Sequence, residues 1–150
     1  HSYGLKVWGV WDNFNYKNET GSDIDTVQIL SSTANRQNIV EQMTATALEL
    51  GLDGINIDFE GLTSDCGTHY VQFIRELSVA CRENQLALSI DNYVPFHFND
   101  FYRLDIQGEV ADYIVVMSTG MVARTPEAWQ VSTMYPMDCR KHWKWLPQKR

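Results

Sequence analysis

Residues 53–60 read Asp-Gly-Ile-Asn-Ile-Asp-Phe-Glu, in which apolar and polar residues alternate from Ile55 onward. Side chains of a β-strand alternate between its two faces. One face therefore carries Ile55, Ile57 and Phe59, and the other carries a polar row, Asn56, Asp58 and Glu60. The apolar row predicts packing against covering helices. The polar side chains are predicted to point inward or towards the carboxyl end of the sheet, where the active sites of β/α barrels lie.

Helical patterns stand on either side of this strand. The stretch after residues 31–33, which offer N-cap residues, has apolar residues at helical spacing and ends at Gly51, as a helix C-terminus favours. Its predicted buried face is Ile39, Val40, Met43, Ala47 and Leu50. A second helix follows the motif, with a predicted buried face of Tyr70, Phe73, Ile74, Leu77 and Cys81.

Three further strands are predicted. Residues 5–11 and 86–93 are rich in β-forming residues, and residues 111–117 form a continuous apolar run typical of a buried parallel strand. Residues 95–101 predict an aromatic-rich loop, and residues 101–106 a short helix. Alternation of strands and helices predicts an α/β fold of parallel units with right-handed crossovers, either a doubly wound sheet or part of a (β/α)₈ barrel. Without a glycine-rich phosphate loop, nucleotide binding is disfavoured.

The two carboxylates of the motif predict acid chemistry. At about 3.3 Å per residue, the Cα atoms of Asp58 and Glu60 lie roughly 7 Å apart. Such proximity raises the pKa of one of them, which keeps a general acid protonated near neutrality. Acidic residues at strand ends are often simply solvated or cap a helix, but three polar residues facing inward are costly to bury without use. A Mg²⁺ or Ca²⁺ site is less favoured, because no further carboxylates complete a cage.

Composition excludes several classes of protein. The 150 residues are 44% hydrophobic and 21% charged with a net charge of −7, which describes a globular chain poorly suited to nucleic acid or anionic membranes. No apolar run approaches the roughly 20 residues of a membrane span, and no signal peptide is visible. The three cysteines, Cys66, Cys81 and Cys139, and the four histidines lack metal-ligand spacing, so free thiols are expected.

The stretch 53–60 resembles the DGxDxDxE motif of glycoside hydrolase family 18, the chitinase-like (β/α)₈ barrels. Flanking segments KVWGVWDN, ILSSTANRQNIVEQM, LALSIDNY and VADYIVVM are similar to bacterial spore-cortex N-acetylglucosaminidases of that family, over about residues 5–117. The resemblance implies hydrolysis of β-1,4-linked N-acetylglucosamine polymers, peptidoglycan or chitin, without cofactor or metal. It also implies action in the cell wall, the spore or the extracellular space, and it leaves the oligomeric state open.

The resemblance assigns the two principal roles. Glu60 matches the general acid, which protonates the glycosidic oxygen and later serves as base. Asp58 matches the carboxylate that orients the substrate's own N-acetyl group. The acetamido oxygen is then the nucleophile, giving an oxazolinium intermediate and net retention, an exception to the two-carboxylate scheme.

Supporting residues follow from the same alignment of motifs. Asp53 matches the first Asp of the motif, with a structural role near the strand start. Asn56 stands where chitinases have the middle Asp, and the spore-enzyme subgroup has Asn there as well. It could hydrogen-bond and orient Asp58 but could not share a proton with it. Asp91 and Tyr93 end the next strand and are weaker candidates for binding substrate.

The resemblance covers only part of a barrel. The motif strand is the fourth of eight in this family, so the chain supplies about strands 3 to 6 of a fold that usually needs about 250 residues. The chain does not begin with Met, and a piece of a longer protein is expected. Competing interpretations are a non-catalytic carbohydrate-binding protein, which the presence of Glu60 argues against, and an inactive fragment.

Residues 118–150 differ from the rest in composition. Residues 1–117 hold 17 acidic against 6 basic residues, whereas residues 118–150 hold 2 against 6. After strand six the family has a Met-x-Tyr-Asp type sequence, but Met117 is followed here by Ser-Thr-Gly. We therefore divide the chain into a partial catalytic domain, 1–117, and an atypical tail, 118–150. When the codons implied by residues 118–150 are read one base out of frame, they permit a sequence that resembles the family after strand six. We therefore hypothesise that residues 118–150 are a frameshifted translation.

Overall fold

A computed structural model describes residues 4–14 and 25–117. These residues contain four strands, β1 Trp8–Asp12, β2 Gly54–Asp58, β3 Ala87–Tyr93 and β4 Tyr113–Met117. Their helices are α1 Thr26–Ser31, α2 Thr33–Glu49, α3 Gly67–Glu83 and α4 Leu104–Val110, with a 3₁₀ helix at His97–Tyr102. The predictions for residues 118–150, including the frameshift and the thiol of Cys139, lie outside the described residues.

The four strands form one parallel sheet in the order β1-β2-β3-β4. Sequence neighbours are therefore neighbours in space, with a helix in each connection. The register pairs Asp12 with Asp58 and Asn56 with Ser89, so these four side chains lie on one face of the sheet. This arrangement confirms the predicted α/β class and the parallel β/α units.

The outer face of the sheet packs against the helices. Ile57 and Ile90 are fully buried, and Phe59 stacks on Phe73 of α3 with ring centroids 5.5 Å apart. The predicted face of α3 is confirmed in full, because Tyr70, Phe73, Ile74, Leu77 and Cys81 are all buried. The apolar row of the motif thus faces the helices as expected, and burying such side chains supplies the main stabilisation of the fold.

The inner face of the sheet is open to solvent along its edge strands β1 and β4, whereas Asn56 and Ser89 on its two central strands are buried. Val10 is 64% exposed, Tyr113 is 56% exposed and Val115 is 45% exposed. The expectation that residues 111–117 form a strand buried on both faces is therefore wrong for the inner one. An apolar run indicates that its side chains are suited to burial. Whether they are buried depends on which strands or helices lie opposite them. At one end of this face the rings of Trp8 and Tyr113 are 5.1 Å apart.

Several element bounds differ from the sequence prediction. The first strand begins at Trp8 instead of Leu5, and helix α1 was not predicted. Residues 95–101 were predicted as loop but contain the start of the 3₁₀ helix, and α4 begins at Leu104, later than predicted. These short elements carry too few residues for a clear periodicity, so hydrogen bonding in the folded chain decides them.

The predicted ends of α2 are largely confirmed. Ser32 is the N-cap, and its hydroxyl accepts a hydrogen bond from Asn35 N–H at 3.4 Å. Gly51 follows the helix with a φ of +65°, in the left-handed region that favours glycine. Leu50, expected on the buried face, is exposed, because the helix ends at Glu49 and Leu50 turns away as its C-cap.

Cys66 and Cys81 are buried free thiols, as expected. Burial raises the pKa of Cys66 to about 11 and that of Cys81 to about 12, so both thiols stay protonated and unreactive at neutral pH. Among the described helices, none is long and apolar enough to cross a membrane.

Candidate active site

The polar row of β2 lies on the inner face, where Asn56 hydrogen-bonds two residues of β3 that share this face. Its Nδ2 group donates to Ser89 Oγ at 2.8 Å and to Asp91 Oδ1 at 3.0 Å. The expectation that Asn56 hydrogen-bonds Asp58 is therefore not met. The parallel register sets Asn56 opposite Ser89, which brings the amide within reach of β3 side chains instead of the next polar residue on its own strand.

Asp58 ends β2 and is half-buried. Its Oδ1 atom is buried without a hydrogen-bond partner among the described residues. Burial raises the pKa of Asp58, and the negative charges of Glu60, Asp91 and Asp12 raise it further. The expected raised pKa of the carboxylate pair therefore falls on Asp58, the more enclosed member.

Glu60 follows the strand at the start of a sharp turn. Gly61 has a φ of +66°, which favours glycine at that position. The Glu60 carboxylate is exposed, and its Oε2 atom accepts a hydrogen bond from the Tyr93 hydroxyl at 2.7 Å. Burial, followed by this hydrogen bond, raises the pKa of Tyr93 to about 12, so the hydroxyl stays a donor throughout the neutral range.

The turn that carries Glu60 is held by side chains that the sequence reasoning missed. Asn13, just after β1, accepts a hydrogen bond from Glu60 N–H at 3.0 Å and donates to Glu60 C=O at 2.9 Å. The Tyr102 hydroxyl accepts from Leu62 N–H at 3.3 Å. The only sequence signal for Asn13 is its place directly after a predicted strand, at the edge where the carboxyl ends meet.

These groups surround one cleft of about 410 Å³ at the carboxyl end of the sheet. The cleft is lined by Asp12, Asn13, Phe14, Asp58, Glu60, Gly61 and Tyr93. Of the predicted site residues, Asp58, Glu60 and Tyr93 line it directly. Asn56 and Asp91 lie deeper, joined to each other on the inner face. Asp12 was not predicted, although its alternation with Val10 places it on this face.

Asp53 lies at the opposite end of β2. Its carboxylate accepts from Lys6 Nζ at 2.8 Å and from Val7 N–H at 2.9 Å. These hydrogen bonds, first that of Lys6, lower the pKa of Asp53. Asp53 therefore lies near the start of the strand and outside the cleft, and its structural role stays a prediction.

The described residues do not form a metal-binding site. Within residues 4–14 and 25–117, no group of three or more His, Cys, Asp or Glu residues is arranged to hold a metal ion. The cleft instead offers three carboxylates, those of Asp12, Asp58 and Glu60, together with the phenol donor of Tyr93 and the carboxamide of Asn13. Such a set can donate and accept protons and can hydrogen-bond the hydroxyl and amide groups of a sugar.

A sequence model of the family described as Glycosyl hydrolases family 18 matches residues 19–146. The chain belongs to glycosyl hydrolases family 18. The motif resemblance is thereby confirmed, and with it the interpretation of the chain as a glycosidase by resemblance. The match extends past Met117 into the stretch predicted to be an atypical tail. No curated protein matches the chain.

Solved structures of family 18 type are similar to the chain at low sequence identity. The spore cortex-lytic enzyme SleL of Bacillus megaterium is 21% identical with a TM-score of 0.65, covering 76% of this chain and 28% of its own. A class V chitinase of Pseudomonas fluorescens is 23% identical with a TM-score of 0.71, covering 78% and 36% respectively. A chitinase of Chromobacterium violaceum is 21% identical with a TM-score of 0.70, covering 83% and 40%.

These neighbours establish the fold. The four parallel strands match part of a (β/α)₈ barrel, which confirms the predicted partial barrel. The chain spans between 28% and 40% of the length of these three structures. The open inner face has its explanation here, because in a closed barrel this face would lie inside.

Proposed function

We propose that the cleft is the catalytic half-site of a glycosidase acting on β-1,4-linked N-acetylglucosamine polymers, peptidoglycan or chitin. The observation that carries the proposal is the pair of carboxylates at the carboxyl end of β2. Asp58 is partly enclosed, with a buried oxygen that has no hydrogen-bond partner in the described part of the chain, and Glu60 is exposed with the Tyr93 hydroxyl 2.7 Å from its carboxylate. The names of the structural neighbours favour action on cell walls or outside the cell.

Glu60 is proposed as the acid and base. It gives its proton to the glycosidic oxygen as the bond to the anomeric carbon breaks, while the acetamido oxygen of the same sugar forms the new bond to that carbon. Glu60 then removes a proton from the water that opens the oxazolinium, which returns the hemiacetal with retained configuration. Its exposure at the cleft suits a group that must reach both a leaving oxygen and a water.

Asp58 is proposed to orient the acetamido group. An N–H of the substrate would satisfy the buried Oδ1 atom, which has no partner among the described residues. A bound amide there would hold the acetamido oxygen towards the anomeric carbon and stabilise the positive charge that develops on the oxazolinium. Asn56 and Asp91 support this region from below, through the hydrogen bond that joins them.

We also propose that turnover by the isolated chain is little or none. The sheet supplies four strands in the described residues, and its inner face leaves Val10 and Tyr113 more than half exposed. A sugar in the cleft would contact one wall and remain hydrated on the other, which weakens both binding and the electrostatic stabilisation that a closed site gives. A carbohydrate-binding fragment without catalysis is the competing outcome.

The test compares the chain with Glu60→Gln and with Glu49→Gln, a matched change at an exposed position on α2. A chromogenic N-acetylglucosaminide and muropeptides serve as substrates. We expect weak turnover at most, lowered by about 10²- to 10⁴-fold in Glu60→Gln and unchanged in Glu49→Gln. Turnover that survives Glu60→Gln would refute the assignment, and robust Glu60-dependent turnover would refute the impairment.

A binding measurement decides the case in which no turnover is seen. Titration with a chitooligosaccharide, followed by ¹⁵N NMR, is expected to shift the amide signals of Asp58, Glu60 and Gly61 first. Binding at the cleft without turnover, retained in Glu60→Gln, would support the substrate class and the impairment together. Absence of any shift at these residues would contradict the proposed substrate.

A further inference from the structure

The position of Glu60 depends on groups beyond the end of the sheet ladder. The last registered pair of β1 and β2 is Asp12 with Asp58, and Glu60 lies two residues further along the chain. At Gly61 the backbone turns through a left-handed conformation. The peptide N–H and C=O groups of Glu60 therefore have no next strand residue to bond, although polar backbone groups need partners when water is displaced.

Asn13 supplies both partners from one side chain. Its Oδ1 atom accepts from Glu60 N–H at 3.0 Å, and its Nδ2 group donates to Glu60 C=O at 2.9 Å. Nδ2 also donates to Thr26 Oγ1 at 3.1 Å, which fixes the amide plane from the side of α1. A carboxamide has the donor and acceptor of a peptide group, so Asn13 takes the place of the missing strand residue.

The main-chain contact has a consequence for the carboxylate. Tyr93 donates to Glu60 Oε2 at 2.7 Å and accepts from Gly61 N–H at 3.3 Å. Both contacts require the backbone of Glu60 and Gly61 to stay at its present distance from β3. Asn13 contacts this turn from the β1 side and Tyr93 from the β3 side. Glu60 is therefore held by residues from the two strands that flank β2.

We infer that Asn13 is a positioning residue for Glu60, which pairs with its main chain and thereby keeps its carboxylate in contact with the Tyr93 hydroxyl. The inference rests on the proposed function in so far as Glu60 is the acid and base. Its structural content, the pairing itself, can be tested without turnover.

The experiment uses the full chain and ¹⁵N NMR hydrogen exchange at neutral pH. In Asn13→Ala the Glu60 amide is expected to exchange roughly tenfold faster, as the loss of one hydrogen bond implies. Asn13→Asp keeps the acceptor for Glu60 N–H but sets a carboxylate oxygen against Glu60 C=O, so it should restore only part of that protection. Thr26→Val removes the contact of Asn13 with Thr26 Oγ1 but keeps both contacts with Glu60, and should leave the Glu60 amide near the wild-type rate.

Two internal references separate positioning from general loss of stability. The amide of Ile57, in the middle of β2, should exchange at the wild-type rate in every variant. The ¹³Cζ signal of Tyr93 should move in Asn13→Ala towards its position in Glu60→Ala, which lacks the carboxylate altogether. That signal reports the hydroxyl contact and would not respond to a purely structural role of Asn13.

The inference is overturned if the Glu60 amide keeps its wild-type exchange in Asn13→Ala, or if Glu60 and Ile57 accelerate together. If Asn13→Ala does not fold, the similarly sized Asn13→Leu takes its place, and wild-type exchange of the Glu60 amide there would overturn the inference equally. A chain that neither hydrolyses nor binds sugar but shows the selective exchange effect would refute the proposed function alone. Glu60-dependent hydrolysis with unaltered exchange would refute the role of Asn13 alone.

Discussion

The two faces of the sheet belong to the same four strands but differ in how far their side chains are buried. On the outer face Ile57 and Ile90 are fully buried beneath the helices, whereas on the inner face Val10 is 64% exposed. The outer face therefore provides the stability of the chain. The inner face carries the polar row, in which Asn56 is buried and hydrogen-bonded to Ser89 and Glu60 is exposed at the cleft. A mutation should accordingly affect folding on one face and chemistry on the other.

Matched truncations on the two faces should give the largest difference in the free energy of unfolding. Ile57→Ala leaves a cavity beneath the helices and should lower the free energy of unfolding by about 2 to 5 kcal/mol. Val10→Ala, one strand away on the open face, should lower it by about 1 kcal/mol or less, mainly through lost β-propensity. Urea denaturation followed by circular dichroism measures both. Equal losses would mean that the inner face is covered.

The polar network of the inner face gives the next largest effect. Asn56→Asp replaces the Nδ2 donor 3.0 Å from Asp91 with a second carboxylate oxygen, so a hydrogen bond becomes a repulsion. We expect a loss of about 1 to 3 kcal/mol at pH 7. The loss should be smaller at pH 4, where protonation of the new carboxyl restores a donor.

The matched control for this substitution is Asn38→Asp on the exposed face of α2. Asn38 accepts a hydrogen bond from Gln42 Nε2 at 2.9 Å, and a carboxylate there can still accept it. The control should change the free energy of unfolding by less than about 0.5 kcal/mol. An Asn56→Asp protein as stable as this control would show that the Asn56 contacts contribute nothing.

Much of the fold could be predicted because the motif strand reads differently on its two faces. The alternation over residues 53–60 assigned Ile57 and Phe59 to the helices and Asp58 and Glu60 to the cleft. The regular apolar spacing of α3 gave its buried face correctly. These patterns repeat over many residues, so a single exception does not obscure them.

The contacts that complete the site could not be predicted in the same way. Asn56 bonds Ser89 and Asp91 instead of Asp58, because the partner is set by the register between two strands 33 residues apart in sequence. Asn13 reaches Glu60 across 47 residues for the same reason. The solvent exposure of β4 was missed since an apolar strand does not reveal what lies opposite it.

The two ends of β2 differ in the sign of their response to pH, which gives the smallest expected effect. The pKa of Asp58 is raised in the folded chain, first by burial and then by Glu60, Asp91 and Asp12. The folded state thus binds the proton more tightly, and stability falls as pH rises from the unfolded value of 3.8 through the folded pKa. Because Asp58 is half-exposed, Asp58→Asn should raise stability at pH 7 by less than about 1 kcal/mol.

Asp53→Asn is the matched change at the other end of the strand, with the opposite sign. The pKa of Asp53 is lowered by its hydrogen bonds to Lys6 and Val7, so its contribution is present above 3.8 and is lost as pH falls through the lower folded value. Asp53→Asn should therefore reduce stability at pH 7 and match the wild type in stronger acid. Thermal melts of both variants from pH 3 to 8 measure the difference. If both substitutions shift stability in the same direction at pH 7, burial does not disfavour the charged form of Asp58 in the folded chain, and the contrast between the two ends of β2 is wrong.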